Sequence, residues 1–422
     1  MNRLLLMGCI CYVLTGFTLV IVGSALPELL AFYGKGYDDG GLLVFVQFVG
    51  LLCGVLSMPS LIRLAGRRRT IVAGLLCLSV ETLFLLAPPW EATLPILFVA
   101  GFGAGLVESS IGALVLLAAA DRPASAMSKL EVTFGLGALA MPFLVSLLIA
   151  KQAWIYAFPV LGLSSLLVSV AWMVLSFGPL DGPLRQKGNA ATRERASGVD
   201  TDGLWRPDAE PTAAAAAPAG EKKRAGGGGL YVFLLCALFF SLYGGSEASL
   251  IHFLPSVFME DRHASASVAS LVVSVYWTGM VIGRAVTGVL ADRFGYYPFL
   301  LASTGGAAVM LALLAAGGGL QVGFALVFFV GLFMSGMFAI ALIFANRQLP
   351  GRTDRTTSLL MAVNGLGGAL LPYAAGWTME TFPVKATVWL LAGSLGTMLL
   401  FLVFARENAF STLFRRRTAG KR

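Results

Sequence analysis

The feature that most constrains this chain is a series of twelve long apolar runs, separated by short polar loops and one long polar segment. Each run approaches or exceeds the roughly 20 residues that a helix needs to cross about 30 Å of hydrocarbon. A segment inside a bilayer must satisfy its own backbone hydrogen bonds, so helices are predicted for all twelve. The runs are 4–33, 41–62, 70–88, 93–120, 130–150, 153–177, 230–259, 266–290, 297–316, 320–345, 356–380 and 386–405.

Composition agrees with this reading. Apolar residues make up 57% of the chain and charged residues 12%, whereas roughly 25% of a typical soluble domain is charged. We therefore expect an all-α polytopic membrane protein whose partner is the lipid bilayer. The first run, which superficially resembles a secretory signal, is far longer than a signal core and is expected to be retained as a helix.

The polar segment 178–229 divides the chain. It mixes Pro, Gly, Ala and charges of both signs and has no apolar period to bury, which predicts a disordered linker. The predicted organisation is a bundle of six helices over 1–177, a cytoplasmic linker over 178–229, a second bundle of six over 230–405 and a basic cytoplasmic tail over 406–422.

The distribution of positive charge predicts the orientation. Of the 30 Lys and Arg residues, only Lys35, Lys151, Arg262 and Lys385 fall in loops that follow odd-numbered helices. Because loops rich in Lys and Arg stay on the cytoplasmic side, both termini are expected there, in the plasma (inner) membrane. The net charge of +8 is accounted for in this way, so nucleic-acid binding is not expected.

The two halves repeat. Residues 135–142 (GLGALAMP) match 365–372 (GLGGALLP) at an offset of 230 residues, Leu26-Pro27 matches Leu254-Pro255, and Gly66 matches Gly295. Three matches at nearly one offset indicate duplication of a unit of six helices. This is the plan of a secondary transporter that rocks its two halves around a central site.

Residues 288–295 (GVLADRFG) resemble the signature of the major facilitator superfamily, which lies in the loops after the second and eighth helices. The resemblance implies twelve helices in two pseudo-repeated six-helix bundles. The first-half copy departs from the signature at Pro59 and Arg63, and the second-half copy departs at Tyr296 and Tyr297. In that family the Asp and Arg residues of the signature hold the cytoplasmic side closed. The cytoplasmic gate implied here consists of Gly288, Asp292, Arg293 and Gly295 with Gly66, Arg67 and Arg68.

Within the superfamily the chain is most similar to the fucose permease and glucose transporter branch. The stretches that carry this likeness are 101–108 (GFGAGLVE), 134–142 (FGLGALAMP), 243–247 (YGGSE), 277–284 (WTGMVIGR) and 367–372 (GGALLP). The first helix lacks the acidic residue of the fucose permease, since Thr15 to Ser24 contains none, and Ser109 and Ile111 stand where an Asn would follow Glu108. The implied substrate is a sugar or another small organic molecule.

Charged residues inside apolar helices need a reason, because a charge at the bilayer centre costs about 2.5 to 3.5 kcal/mol on insertion scales. Glu108 and Glu247 are the predicted proton-coupling residues; a protonated Glu108 that only bonds to a neighbouring helix is the alternative. Arg284 could bind an anionic group, pair with one of these acids or be structural. The predicted substrate-binding residues are Arg284, His252, Tyr243, Trp277, Asn346 and Asn364.

The sequence contains no catalytic dyad and no Walker phosphate loop, and its five cysteines all lie inside apolar runs without metal-ligand spacing. We therefore expect no enzyme activity, no metal and no cofactor. The prediction is a monomeric, proton-coupled secondary transporter of a small solute. A proton antiporter that exports drugs or metabolites is the alternative, and a transporter-like receptor or scaffold is a more distant one.

Overall fold

The computed structural model describes residues 2–118, 123–177, 228–348 and 353–419. Within these ranges it contains twelve helices that are long and apolar enough to cross a membrane, which confirms the predicted number. We number them as spans in chain order. Most of the predicted linker 178–229 lies outside the described residues, as do the side chains of the predicted tail 406–422.

The first six spans form the first half of the molecule. Their helices are Asn2–Ser24, Tyr37–Ala65, Arg67–Leu78 continued by the 3₁₀ segment Ser79–Leu86, Trp90–Ala118, Pro123–Ala150, and Ala157–Val174 preceded by the 3₁₀ turn Trp154–Tyr156.

The last six spans form the second half. Their helices are Gly228–Arg262, Ala266–Phe294, Tyr296–Ala316, Leu320–Met334 with Met337–Gln348, Thr353–Thr381 and Val384–Ala419.

Two apolar runs that the sequence indicates as single helices are interrupted. The first run breaks at Ala25, after which a separate helix, Leu26–Tyr33, begins with Pro27 in its first turn. Proline has no N–H to continue the ladder of hydrogen bonds, so a new helix start is a favourable place for it. The matching Pro255 lies inside a continuous seventh span. The tenth run is likewise divided, between Met334 and Met337.

The repeat predicted from the sequence is visible in the packing of glycines. In the first half, Gly16 and Gly137 bring the first and fifth spans into backbone contact, and a Cβ at Gly137 would lie 2.5 Å from the carbonyl oxygen of Val13. In the second half, Gly244 and Gly367 do the same for the seventh and eleventh spans. These glycines correspond at offsets of 228 and 230 residues, so both halves use one packing device.

The turns after the second and eighth spans are also repeated. Gly66 has φ 87° and ψ 158°, and Gly295 has φ 89° and ψ 151°. Each donates a hydrogen bond of 2.9 Å to the helix before it, to the carbonyls of Ile62 and Ala291 respectively. A positive φ of this kind favours glycine, which explains why the glycine of the signature is present in both halves.

An even number of spans places both chain ends on one face of the molecule. We call this face the terminal end; it also carries the turns at Gly66 and Gly295. The opposite face, which carries the turns 34–36, 263–265 and 382–383, is the distal end. The two halves meet along the second and eleventh spans, the fifth and eighth spans, and the first and seventh spans.

At the distal end these contacts are very close. A Cβ at Gly41 would lie 3.1 Å from the carbonyl oxygens of Pro372 and Tyr373, and one at Gly376 would collide with the carbonyl of Tyr37. A Cβ at Gly23 would lie 2.5 Å from the backbone of His252. Backbone therefore packs on backbone where the halves meet at this end.

Candidate functional site

The predicted proton-coupling residues lie well inside their spans, and both are partly exposed rather than fully buried. Glu108 lies on the fourth span, one turn beyond Gly105 and two turns beyond Gly101. A Cβ at Gly101 or Gly105 would collide with the backbone of the second span, at Gln47 or Leu51 respectively. The close packing expected from these glycines is therefore present. It fixes the fourth span and with it the position of the Glu108 carboxyl.

A third carboxylate, which the sequence reasoning missed, lies between the two halves. Glu131 on the fifth span forms an ion pair with Arg284 on the eighth, with Oε2 and Nη1 3.7 Å apart. The side chains are 48% and 28% exposed, so both reach an open space. Glu131 was missed because the apolar run begins at residue 130, whereas the helix begins at Pro123. Eight residues, or roughly 12 Å of helix, separate the two points.

Electrostatic interactions join the acids into one cluster. Glu108 interacts with Glu131, and Glu247 interacts with both Arg284 and Glu131. Tyr243 lies beside the carboxyl of Glu247, and its hydroxyl donates to the carbonyl of Met334 at 3.5 Å. Two carboxyl groups, those of Glu131 and Glu247, thus lie near the guanidinium of Arg284, and the Glu108 carboxyl lies near Glu131. If all three were ionised the cluster would carry a net charge of −2, which is costly in a medium of low dielectric constant, so protons are the natural counter-charge.

Trp277 lies beside this cluster at the junction of the halves. It is 2% exposed, its ring makes an edge contact with Phe134 of the fifth span at 5.7 Å, and the guanidinium of Arg284 lies 5.6 Å from its centre. The indole Nε1 is buried and has no hydrogen-bond partner in the described part of the chain. A buried N–H without an acceptor marks a place where a ligand could bind.

A second group of unpaired polar atoms lies nearer the distal end. His252 is fully buried against the ring of Phe48, and its Nδ1 bonds with the carbonyl of Ala248 at 2.7 Å while Nε2 has no partner. Gln47, which the sequence reasoning did not select, donates from Nε2 to the carbonyl of Thr18 at 2.8 Å and leaves Oε1 unpaired. A neutral glutamine inside an apolar run gives little sequence signal, so only the structure identifies it.

The two predicted asparagines differ. Asn364 lies on the eleventh span against Gly244 of the seventh, and its Oδ1 is buried and unpaired. Asn346, near the terminal end, donates from Nδ2 to the hydroxyl of Thr357 at 3.0 Å, although its own Oδ1 is likewise buried and unpaired among the described residues. Asn364 therefore lies with the other unpaired groups, whereas Asn346 links the tenth and eleventh spans.

The predicted gate residues lie at the terminal end, and the contacts found for them stay within one half. Arg68 donates to the carbonyls of Trp172 at 2.8 Å and Met173 at 3.0 Å, at the end of the sixth span. The Tyr296 hydroxyl donates to Asp292 at 3.3 Å. The Arg293 guanidinium lies 5.6 Å from the ring centre of its neighbour Phe294.

Two gate positions lack a close partner among the described residues. A Cβ at Gly288 would find no atom within 4 Å, and the Nη1 of Arg67 is buried without a hydrogen-bond partner.

The sequence profile of the Major Facilitator Superfamily matches residues 8–255 and again 233–421. The chain belongs to the major facilitator superfamily. The two overlapping matches cover both halves in turn, as expected for a duplicated unit. As a member of this superfamily, the chain is an integral membrane protein that transports a small solute.

Relatives within the superfamily include a sugar carrier. The chain is 30% identical over 399 residues to the glucose/mannose transporter GlcP of Bacillus subtilis, covering 94% of this chain and 92% of that protein. It is 25% identical to the bypass of stop codon protein 6 of Saccharomyces cerevisiae, over 91% of this chain and 78% of the relative.

Solved structures of the superfamily share the fold. The structure of a D-xylose–proton symporter superposes with a TM-score of 0.72 at 15% identity, covering 94% of this chain and 96% of that one. A peptide transporter in complex with sulfate superposes with a TM-score of 0.74 at 13% identity, over 96% and 94% of the two chains. These comparisons confirm the predicted fold class of twelve helices in two bundles.

Proposed function

We propose that this chain is a proton-coupled transporter of a hexose-like sugar and that Glu108, Glu131, Glu247 and Arg284 couple proton movement to the rocking of its halves. The observation that carries the proposal is the ion pair between Glu131 and Arg284, which joins the two halves inside the membrane. The sugar follows from the similarity to a glucose/mannose transporter. No enzyme activity is part of the proposal, and the working unit is a monomer.

The charge cluster explains how a proton could bias the two conformations. When Glu131 is ionised it holds Arg284 and keeps the fifth and eighth spans together near the terminal end. Protonation of Glu131 removes this attraction, and Arg284 can then pair with Glu247 on its own half. Glu108 interacts electrostatically with Glu131, so a negative charge on one of these acids disfavours a negative charge on the other. A conformational change driven in this way needs only a difference in pairing between the two states.

The unpaired polar atoms suit a sugar. A sugar hydroxyl can both donate and accept, so it can satisfy the N–H of Trp277 and the oxygens of Gln47 and Asn364 with the same chemistry. Gln47 belongs to the first half, and Trp277, His252 and Asn364 belong to the second. A ligand bound by both halves would stabilise the conformation in which they enclose it.

The direct test uses purified protein in liposomes with radiolabelled glucose or mannose. We expect accumulation driven by an imposed proton gradient and abolished by a protonophore. Glu108→Gln mimics a permanently protonated acid, so it should lose accumulation but keep the exchange of labelled for unlabelled sugar. Accumulation at the wild-type level by this variant would make Glu108 structural, and the same loss in Glu247→Gln alone would move the proton site to the seventh span. Extrusion of preloaded sugar under the same inward proton gradient would instead indicate a proton antiporter, and thus an exporter.

The proposed orientation puts the terminal end in the cytoplasm of a cell whose plasma membrane holds the protein. Ser197 lies in the predicted linker, outside the described residues. A single reactive cysteine at Ser197→Cys, in a background without the five native cysteines, should react with an impermeant thiol reagent only after the membrane is opened. Labelling in intact cells would reverse the assigned orientation.

A further inference from the structure

A second group of buried oxygen atoms lies away from the charge cluster, between the third and sixth spans. Glu81 is 0% exposed, and neither oxygen of its carboxyl has a hydrogen-bond partner in the described part of the chain. The hydroxyl oxygens of Thr82, Ser165 and Ser169 are also buried and unpaired. Buried polar atoms usually have partners, so five unpaired oxygens on two neighbouring spans require an explanation.

The two spans run antiparallel, and their contacts set the relative heights of these residues. The rings of Phe84 and Phe158 stack with centres 4.3 Å apart. One turn further, a Cβ at Gly162 would collide with Thr82, and it would lie 3.0 Å from the carbonyl oxygen of Ser79. Gly162 thus lets the backbones of the two spans touch beside Glu81.

Ser165 lies one turn after Gly162. Because the spans are antiparallel, this turn lies beside residues of the third span that come before Ser79. Helical side chains lean toward the N-terminus of their own helix. In antiparallel neighbours this lean brings the Glu81 carboxyl and the Ser165 hydroxyl toward the same height along the helix axes. The third span also changes from α-helix to 3₁₀ geometry at Ser79, immediately before Glu81. A 3₁₀ segment keeps its backbone hydrogen bonds with poorer geometry, and each of its carbonyl oxygens has a second lone pair that can contact a cation.

We propose that Glu81 is the centre of a sodium site in the first half, completed by the hydroxyls of Thr82 and Ser165 and by backbone carbonyls of the 3₁₀ segment. The donor set consists of oxygen atoms alone and carries one negative charge. Hard cations prefer oxygen ligands, and a single carboxylate balances a monovalent cation. Interrupted helices supply carbonyls to sodium in the same way in other membrane transporters.

A proton on Glu81 would explain fewer of the observations. It would neutralise the carboxyl but add a single O–H donor, which can serve only one neighbouring oxygen at a time. A cation accepts lone pairs from all of these groups at once. The site is distinct from the charge cluster, so its occupation does not depend on the proposed sugar transport.

The test is the thermal stability of the purified full-length protein in choline buffer, with NaCl, KCl or choline chloride added at equal ionic strength. Specific binding to the folded state raises the Tm, and we expect a rise of about 2–5 °C between 1 and 100 mM sodium. Potassium and choline should not produce it. Absence of a sodium-specific rise, or a rise that depends only on pH, would overturn the proposal in favour of a protonated Glu81.

Variants locate the effect. Glu81→Gln should abolish the sodium-dependent rise, whereas Glu91→Gln, the same change at an exposed carboxylate outside this site and the charge cluster, should keep it. If Glu81→Gln does not fold, Ser165→Ala and Thr82→Val provide milder changes, each expected to raise the sodium concentration needed for half of the effect at least threefold. An unchanged sodium response in both of these variants would contradict the assignment of ligands.

Discussion

The two ends of the interface between the halves are built differently. At the distal end, Gly41 and Gly376 press backbone against backbone, and the carboxylates of Glu260 and Glu380 accept hydrogen bonds from Tyr37. At the terminal end, Gly288 has open space around it, and the contacts found for Asp292 stay within its own half. The distal end is thus closed by close contacts between backbones, which we call the distal seal. Closure of the terminal end depends instead on charged residues that can change partners.

This difference indicates which interactions control each step of alternating access. Small residues allow close approach of helices in a membrane, where apolar side chains gain little by leaving lipid. Sealing by glycine is therefore independent of pH and voltage. Charge pairs, by contrast, respond to protonation. The proton should act mainly at the terminal end and at the charge cluster, and the distal seal should follow as the halves rock.

The largest effect is expected from replacing a glycine of the distal seal by a larger residue. Gly376→Val places side-chain atoms where the carbonyl of Tyr37 lies. Overpacking costs about 1–3 kcal/mol, enough to lower the population of the closed distal end by up to about 100-fold. Sugar uptake should fall accordingly. Gly393→Val is the control, since a Cβ at Gly393 meets no atom within 4 Å.

Spin labels can test the same variant directly. With labels on Lys35→Cys and Lys385→Cys, in a background without the native cysteines, Gly376→Val should lengthen the distance across the distal end. An unchanged distance together with normal uptake would show that the glycine seal is dispensable.

A smaller effect is expected from the ion pair between the halves. Glu131→Gln leaves Arg284 without this partner, and we expect the accumulation ratio for sugar to fall about tenfold, which corresponds to roughly 1.4 kcal/mol, a discounted value for a pair in contact with water. Lys129→Gln, an exposed change two residues earlier on the same helix, should have no effect. Restored coupling in the charge exchange Glu131→Arg with Arg284→Glu would establish the pair, whereas wild-type accumulation in Glu131→Gln would exclude it.

The smallest effect is expected from the distal hydrogen bonds. Tyr37→Phe removes the 2.8 Å bond from the hydroxyl to Glu260 and keeps the bond from the backbone N–H to Glu380. A solvent-exposed hydrogen bond contributes about 0.5–1.5 kcal/mol, so uptake should change about two- to tenfold. Glu260→Ala, which removes the acceptor, should reproduce the result. A loss as large as that of Gly376→Val would mean that hydrogen bonds, and not glycine contacts, seal this end.

The sequence predicts those parts of the molecule that depend on long patterns. Twelve apolar runs predict twelve spans, and matched motifs such as Gly66 and Gly295 predict a repeat that the backbone angles of these glycines bear out. The break at Ala25 is not predictable in the same way, because Pro255 occupies the matching position inside a continuous helix. Whether a proline starts a new helix depends on the packing around it.

Site residues were found where their chemistry is unusual for their surroundings. Glu108, Glu247 and Arg284 are conspicuous as charges in apolar runs, and all three lie in one cluster. Glu131 lies at the edge of an apolar run. The depth of such a residue in the membrane is set by the packing of neighbouring helices, so the run alone does not predict it. The pairing of Glu131 with Arg284 also joins residues on different halves. A single sequence carries no signal for such a contact.

The contact between Glu380 and Tyr37 has a consequence for turnover. Tyr37 is the first residue of the second span, and its N–H donates to a carboxylate of the other half at 2.7 Å. A helix start without a side-chain cap of its own, as here after Gly36, can be satisfied equally by a carboxylate or by water. When the distal end opens, the N–H of Tyr37 exchanges the Glu380 carboxylate for water at little net cost in free energy. After it has released its substrate, the empty transporter should therefore open its site at the distal end again without a slow step.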